Sequence, residues 1–276
     1  MKQFPPLPII DDDAAPTFDG HLWLLEVVEG TPLRFQLQQS GAVRFGGAHG
    51  TWADDAIPRP CRRAVRHVRG RLDRQALRRA VDDVTALTFL GRATHRERID
   101  YDWARLPPFL GSDVWSSDAD AFRPPSASEA IFDRLGLDPR NPVAQEVKGR
   151  DFDPTAYERP ASAWYDGPVA GVEVRDKHGN RGLLEHSENS APSPGVVDAT
   201  DAESLAEAVA MAQRFERVVA RLRDRGRQPT VDELRERVLE DIYREEHGRL
   251  FDREQPIDES AFRAAVATRA QRFLRE

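Results

Sequence analysis

The feature that most constrains this chain of 276 residues is a change of residue pattern near residue 190. Before it, short apolar runs alternate with polar residues and are separated by glycine turns, as in antiparallel strands. Residues 187–199 are rich in serine, proline and asparagine, which is typical of a linker. After them, apolar residues recur at helical spacing. The sequence therefore predicts an α+β domain over residues 1–190 and a helical domain over residues 200–276.

Local patterns place the elements within each part. Strands are predicted at 21–28, 33–37, 42–45, 86–94, 109–115, 169–175 and 181–185, with helices at 60–81 and 126–135. In the second part, capping residues predict three helices that begin at Thr200, Thr230 and Asp258. The first two end at Gly226 and Gly248.

Composition excludes several classes of protein. No apolar run approaches the roughly 18 residues that a membrane span needs, and Met1–Ile10 lacks the pattern of a signal peptide. One cysteine, Cys61, leaves no partner for a disulfide or a cysteine-based zinc site. There is no phosphate-binding P-loop or Rossmann glycine pattern. We expect a cytoplasmic protein without a membrane partner.

Metal-binding patterns are also missing from the sequence. The seven histidines form no HExxH or HxxxH pair. Asp100 and Asp102 could flank a metal, although alternating carboxylates more often cap a loop. No metal site is predicted.

The basic residues are almost all arginine. Of 40 lysines and arginines, only Lys2, Lys148 and Lys177 are lysines, so a mechanism that needs a lysine nucleophile has three candidates. Residues 58–80 are the most basic part of the chain. A helix there could present arginines to the phosphates of a nucleic acid, or pair them with acidic loops. The residues predicted to bind nucleic acid are Arg62, Arg66 and Arg69.

An ordered set of motifs between residues 4 and 186 resembles the RNA ligase branch of the covalent nucleotidyltransferase superfamily. Each motif is short, and the order and spacing carry the resemblance. The motifs are Glu26–Gly30, Arg44–Gly46, Phe89–Arg92, Phe109–Val114 and Ala170–Arg175. The resemblance implies an RNA/DNA ligase-like nucleotidyltransferase fold, related to the ATP-grasp fold, with antiparallel sheets and a C-terminal helical bundle.

In that family a lysine attacks the α-phosphate of ATP, and the nucleotide then passes to a 5′-phosphate RNA end. The resemblance places Glu26 beside adenine, Arg44 near sugar and phosphate, and Phe109 stacked on the base. Glu29 and Gly30 match the first motif, and Arg175 matches the end of the fourth. The predicted nucleotide-binding residues are Glu26, Glu29, Gly30, Arg44, Arg92, Phe109 and Arg175.

The reactive positions of the family are altered in this chain. The nucleophile position is Val27, and Arg92 and Ala170 stand where the family has glutamates. The strand of the fifth motif, 180–184, has no lysine. An aliphatic side chain cannot form a phosphoramidate. ATP or AMP is the implied ligand, while Mg²⁺, expected for the family, is disfavoured by the loss of carboxylates.

Three hypotheses follow from this pattern. The first is a catalytically degenerate ligase-like protein that binds a nucleotide or an RNA end, with an active ligase paralogue as one candidate partner. The second is an active ATP-dependent RNA ligase with an atypical nucleophile, for which Lys177, two residues past Arg175, is the only lysine near the expected pocket. The third is a non-catalytic scaffold that retains only the fold.

Overall fold

The computed structural model describes residues 1–10, 17–185, 195–197, 199, 201–251 and 257–276. Its contacts divide the chain into two compact units. Unit 1 comprises Met1–Thr94 and Tyr101–Ser190, and unit 2 comprises His95–Asp100 and Ala191–Glu276. Unit 1 combines antiparallel sheets with helices and unit 2 is helical. The predicted α+β class with a C-terminal helical bundle is confirmed.

Unit 1 contains a four-stranded and a five-stranded sheet, ordered β7–β1–β8–β9 and β3–β2–β4–β5–β6. All pairings between these strands are antiparallel. The strands are β1 His21–Val27, β2 Gly30–Leu37, β3 Val43–Gly46, β4 Leu87–Thr94, β5 Phe109–Ser116, β6 Ala121–Phe122, β7 Pro142–Lys148, β8 Gly171–Asp176 and β9 Arg181–Glu185. The helices of this unit are α1 Arg62–Arg71, α2 Arg74–Ala80 and α3 Pro125–Arg134.

One face of the five-stranded sheet forms an aromatic core with residues of the three helices. Phe35 stacks on Phe89 with ring centroids 4.9 Å apart, and Phe109 meets Phe35 edge to face at 5.7 Å. A side chain at Gly91 would lie 2.6 Å from the Phe109 ring, so glycine is required there. The strand alternation that places these rings on one face leaves polar residues on the opposite face.

The four-stranded sheet has an apolar and a charged face. Leu22 and Leu24 of β1 pack with Val172 and Val174 of β8 in a small buried cluster. The alternate positions of β8, Glu173 and Arg175, lie on the opposite face, because successive residues of a strand point to opposite sides. This charged face positions the candidate site.

The N-terminal segment Met1–Ile10 belongs to unit 1 and contacts both sheets. Ile9 bridges Leu183 of β9 in parallel, and the Ile10 amide donates to the Leu183 carbonyl at 2.9 Å. The Lys2 amide donates to Thr88 Oγ1 on β4 at 3.3 Å. The segment therefore spans from the four-stranded to the five-stranded sheet.

Within the described residues, unit 2 contains helices α4 Ala202–Val209, α5 Ala212–Arg223, α6 Val231–Glu245, α7 His247–Phe251 and α8 Glu259–Phe273. The side chains of Thr230 and Asp258 cap α6 and α8, as predicted. Arg214 and Arg217 on α5 bond Glu245 on α6 at 2.6 and 2.9 Å. These ion pairs align the two helices.

Several predicted elements were wrong in their boundaries. The single helix predicted at 60–81 is two helices: the first ends at Arg71, and Asp73 caps the next by accepting from the amides of Gln75 and Ala76. The first helix of unit 2 is broken at Ala210–Met211, and Asp201 caps it. Strand β7 was not predicted. Part of the predicted linker and Thr200 lie outside the described residues.

Among the described helices, none is long and apolar enough to cross a membrane.

Candidate phosphate-binding site

Glu26, expected beside adenine, is a buried anchor for a loop. Its carboxylate accepts hydrogen bonds from Asn141 Nδ2 at 2.9 Å, Ser162 Oγ at 2.5 Å and the Ala163 amide at 3.3 Å. The side chain is 1% exposed. These three donors satisfy the hydrogen-bonding needs of the buried Glu26 carboxylate, so no ligand is required to stabilise it. In this structure Glu26 holds the segment that contains Ser162 against the end of β1.

The nucleophile position lies at the end of β1. Val27 is half-buried and pairs in register with Gly171 of β8. Lys177 follows β8, six positions beyond Gly171 in the sequence. At about 3.4 Å per strand residue, its backbone lies roughly 20 Å along the strand from the level of Val27. Its ammonium lies 3.9 Å from Glu146 and 5.5 Å from the Trp23 ring centroid.

Glu29, Gly30 and Arg92 come together where β1 passes into β2. The Glu29 amide donates to Tyr101 Oη at 3.1 Å, and Arg92 Nη1 donates to the Gly30 carbonyl at 2.7 Å. Gly30 has φ +139°, and a side chain there would lie 2.1 Å from the Ala93 carbonyl oxygen. Only glycine fits this position. Burial raises the pKa of the Tyr101 hydroxyl, which keeps it neutral.

Phe109, expected to stack on a base, lies in the core of the five-stranded sheet in this structure. Its side chain is fully buried, between the rings of Phe35 and Phe132 and against Gly91. A base needs an exposed ring face for stacking, and Phe109 presents none in this structure. The ring belongs to the helix-covered core of the five-stranded sheet.

Five charged side chains form what we call the charged layer: Asp113, Arg140, Glu173, Arg175 and Arg181. Arg175 bonds both oxygens of Asp113, at 2.8 and 3.1 Å, and also bonds Glu173 through Nε. Arg140 Nη1 donates to Glu173 at 2.6 Å. Arg181 Nη2 lies 3.2 Å from Asp113. The layer thus links β5 of one sheet to β8 and β9 of the other, with three guanidiniums against two carboxylates.

Both carboxylates of the charged layer are ionised at neutral pH. Burial alone would raise the pKa of Glu173, but Arg140 and Arg175 outweigh it and hold the pKa well below its usual value. Burial likewise opposes ionisation of Asp113, and Arg175 and Arg181 lower its pKa overall. The pKa of Arg175 is raised, because Asp113 and Glu173 exceed the effect of burial. Arg175 is therefore a fully paired residue of this layer.

A cavity of about 350 Å³ opens beside the charged layer. Its volume falls in the range of small-molecule sites. The carboxylate of Asp176, on its wall, accepts from the amides of His178 and Asn180 and shapes the β8–β9 turn. Charged residues of the wall are Asp113, Arg123, Arg175, Asp176, Lys177 and Arg181, and Phe122 lies beneath the Arg181 guanidinium. We call this the cationic cavity.

The remaining predicted residues lie elsewhere on unit 1. Arg44 is exposed on β3, opposite Gln36 of β2. Arg69 of α1 bonds Asp54 at 2.6 Å and lies over the Phe45 ring, and Arg62 Nε donates to the Ile57 carbonyl at 3.4 Å. Arg62, Arg66 and Arg69 are half-buried. The pairing of Arg69 matches the alternative in which acidic loops neutralise the helix.

Sequence reasoning missed four members of the charged layer. A signal was available for Glu173, since valines at 172 and 174 alternate with charges at 173 and 175 and so place both charges on one strand face. Arg181 follows from the β8–β9 hairpin register, which sets it opposite Arg175. Asp113 and Arg140 come from distant parts of the chain. No local pattern identifies them.

The described residues contain no group of three or more histidine, cysteine, aspartate or glutamate side chains that could hold a metal ion. The two carboxylates of the charged layer are each bonded by guanidiniums, and positions 92 and 170 carry Arg92 and Ala170. This donor set does not fit Mg²⁺, which prefers carboxylate and water oxygens.

No family model matches this chain, and no curated protein does. Solved structures similar to it include an archaeal ATP-dependent RNA ligase, form 2, with 14% identity and a TM-score of 0.47 over 98% of this chain and 63% of that chain. A Naegleria gruberi RNA ligase with PPi has 11% identity and a TM-score of 0.46 over 60% of this chain and 50% of that chain. A mutant of the Naegleria enzyme with ATP and Mn has 10% identity and a TM-score of 0.47 over 61% and 50%.

The matched regions thus span 63% of the archaeal protein and about half of the Naegleria one. Likenesses this distant assign no activity to the present chain.

Proposed function

We propose that unit 1 is an RNA ligase-like nucleotidyltransferase domain that binds a nucleotide or the 5′-phosphate end of an RNA without forming a covalent nucleotide adduct. The observation that carries the proposal is the cationic cavity. Arg123, Lys177 and Arg181 line it beside the charged layer. Guanidinium groups bind phosphate oxygens through paired hydrogen bonds, which suits a phosphate-bearing ligand.

The absence of covalent chemistry rests on the residues around β1. Val27 has no nucleophilic atom, and Lys177 lies roughly 20 Å along the strand from its level. An arginine cannot take the place of a lysine nucleophile, because its guanidinium stays protonated. Since the donor set does not fit Mg²⁺, the proposed binding uses arginines and no metal ion.

Incubation of the full chain with labelled ATP and Mg²⁺ is expected to leave no label on the denatured protein. The physical reason is the absence of a lysine at position 27. Gel autoradiography after denaturation measures this, with a known self-adenylylating ligase as positive control. Label that maps to Lys177 or another lysine would instead support the atypical-nucleophile hypothesis.

Arg123→Met is expected to weaken the binding of AMP and of a 5′-phosphorylated oligoribonucleotide about fivefold to tenfold. Arg123 is exposed at the cavity wall, so the substitution should leave the fold intact. The lost interaction is one charge-assisted contact with phosphate. Calorimetric titration at low salt, with and without Mg²⁺, measures the affinity.

The matched control is Arg134→Met, which removes an exposed arginine at the end of α3, away from the cavity lining. A 5′-hydroxyl oligoribonucleotide controls for the ligand. Equal loss of affinity in both variants would mean that binding follows total charge and not the cavity, and would contradict the proposal.

A second candidate function is a scaffold that retains only the fold. The observation that favours it is the engagement of Glu26, Phe109 and Arg175 within the protein itself. Absence of binding by ATP, AMP and the phosphorylated oligoribonucleotide at low salt would favour this second candidate over the first.

A further inference from the structure

Arg34 of β2 is a buried cation with an unusual environment. Its side chain is 3% exposed, yet the described part of the chain supplies no carboxylate partner. Nη1 donates to the main-chain carbonyl of Lys2 at 2.6 Å, and Nε is buried without a hydrogen-bond partner. Burial lowers the pKa of this guanidinium.

The neighbours of Arg34 do not neutralise it. Across the sheet it is in register with Leu90 of β4, and Leu90 is in register with Asp113 of β5. Two strand spacings put the Asp113 backbone about 10 Å from that of Arg34. Asp113 is already bonded to Arg175 and Arg181. Since a buried charge is stable only when it is paired, the missing counter-charge needs an explanation.

The contact to Lys2 shows how an anion would fit. The Lys2 carbonyl oxygen accepts a hydrogen bond from Arg34 Nη1. An anionic oxygen in the same place would form a stronger hydrogen bond with the guanidinium. Thr88 Oγ1, fully buried on β4, accepts from the Lys2 amide, and the Lys2 ammonium lies 4.8 Å from the Trp115 ring centroid. Once the Lys2 main chain is displaced, Arg34 and Thr88 supply guanidinium and hydroxyl donors on one sheet face.

We propose that Arg34 is the centre of an oxyanion site, and that a phosphate group displaces the Lys2 carbonyl from it. The N-terminal segment Met1–Ile10 is then a displaceable cover over the polar face of the five-stranded sheet. The inference does not rest on the proposed function, because Arg34 does not line the cationic cavity. A carboxylate group could accept hydrogen bonds from the same donors, so the test compares phosphate with acetate.

The test titrates the full chain with inorganic phosphate and, separately, with acetate. The readouts are the dissociation constant by calorimetry and the indole N–H signal of Trp115 by NMR, assigned with Trp115→Phe. Phosphate should shift the Trp115 signal, because the Lys2 ammonium leaves the ring. Arg34→Met should weaken phosphate binding tenfold or more and abolish the shift, while Arg134→Met should change neither.

Arg34→Met should fold at least as stably as the wild type, since it removes a buried charge that lacks a partner. If circular dichroism shows that Arg34→Met does not fold, Arg34→Lys replaces it in the test. Lysine keeps the positive charge but lacks the paired guanidinium donors, so this variant should bind phosphate at least threefold more weakly than the wild type. Acetate binding that also depends on Arg34 would support a general oxyanion site. Phosphate affinity independent of Arg34, or a Trp115 signal that phosphate does not move, would overturn the proposal.

Discussion

Asp113→Ala is expected to destabilise unit 1 by about 3–5 kcal/mol, because it leaves one buried and one largely buried guanidinium without their shared carboxylate. Arg175 and Arg181 both bond Asp113, and their side chains are 5% and 11% exposed. Burial makes the loss of one partner costly, whereas an exposed pair contributes little. Denaturant unfolding followed by tryptophan fluorescence measures the change in the free energy of unfolding.

Asp118→Asn is the control for this experiment. Asp118 is exposed in the turn after β5, so its substitution should change stability by less than about 0.5 kcal/mol. A change of similar small size for Asp113→Ala would show that the charged layer is hydrated and contributes little. The Asp113 carboxylate would then be available to a ligand, which contradicts its role as the ion-pair partner of Arg175 and Arg181.

Phe109→Ala is expected to destabilise unit 1 by about 3–5 kcal/mol, the usual cost of removing a buried aromatic side chain. The ring packs on Phe35 and Phe132 and fills the space that Gly91 leaves. Phe109→Leu keeps part of the volume and should cost less. Thermal and denaturant unfolding of both variants measures the effect.

The same variants separate packing from base stacking. Under conditions where Phe109→Leu is folded, its affinity for AMP should equal that of the wild type, because the ring is closed off from solvent. A tenfold loss of affinity in folded Phe109→Leu would return the residue to the stacking role that the motif resemblance implied.

Much of the architecture follows from local patterns in the sequence. Short apolar runs bounded by turn residues predicted β1, β4, β5 and β9 closely, because both the run and its ends are local features of the sequence. The helix caps at Thr230 and Asp258 were predicted correctly. A capping side chain accepts a hydrogen bond from an amide only three residues further on, so the pattern is local in the sequence. The break at Asp73 was missed, because apolar spacing continues through Leu72 and Leu77 into the next helix.

The candidate site was much less accessible to sequence reasoning. The motif resemblance singled out Glu26, Phe109 and Arg175, and the structure engages all three with groups of this chain. The cavity beside Arg123 and Arg181 joins β6 to the β8–β9 turn, more than 50 positions apart in the sequence. Such a site depends on which strands become neighbours.

By itself, the sequence determined the α+β class, the helical second part and the lack of a lysine at position 27. These properties depend on residue identity and on the period of a strand or helix, which are local. Only the tertiary structure decided that Phe109 is core, that Asp113 pairs with Arg175, and that Arg34 is buried beneath Lys2. Burial and ion pairing depend on contacts between distant segments, and no local period encodes which segments will meet.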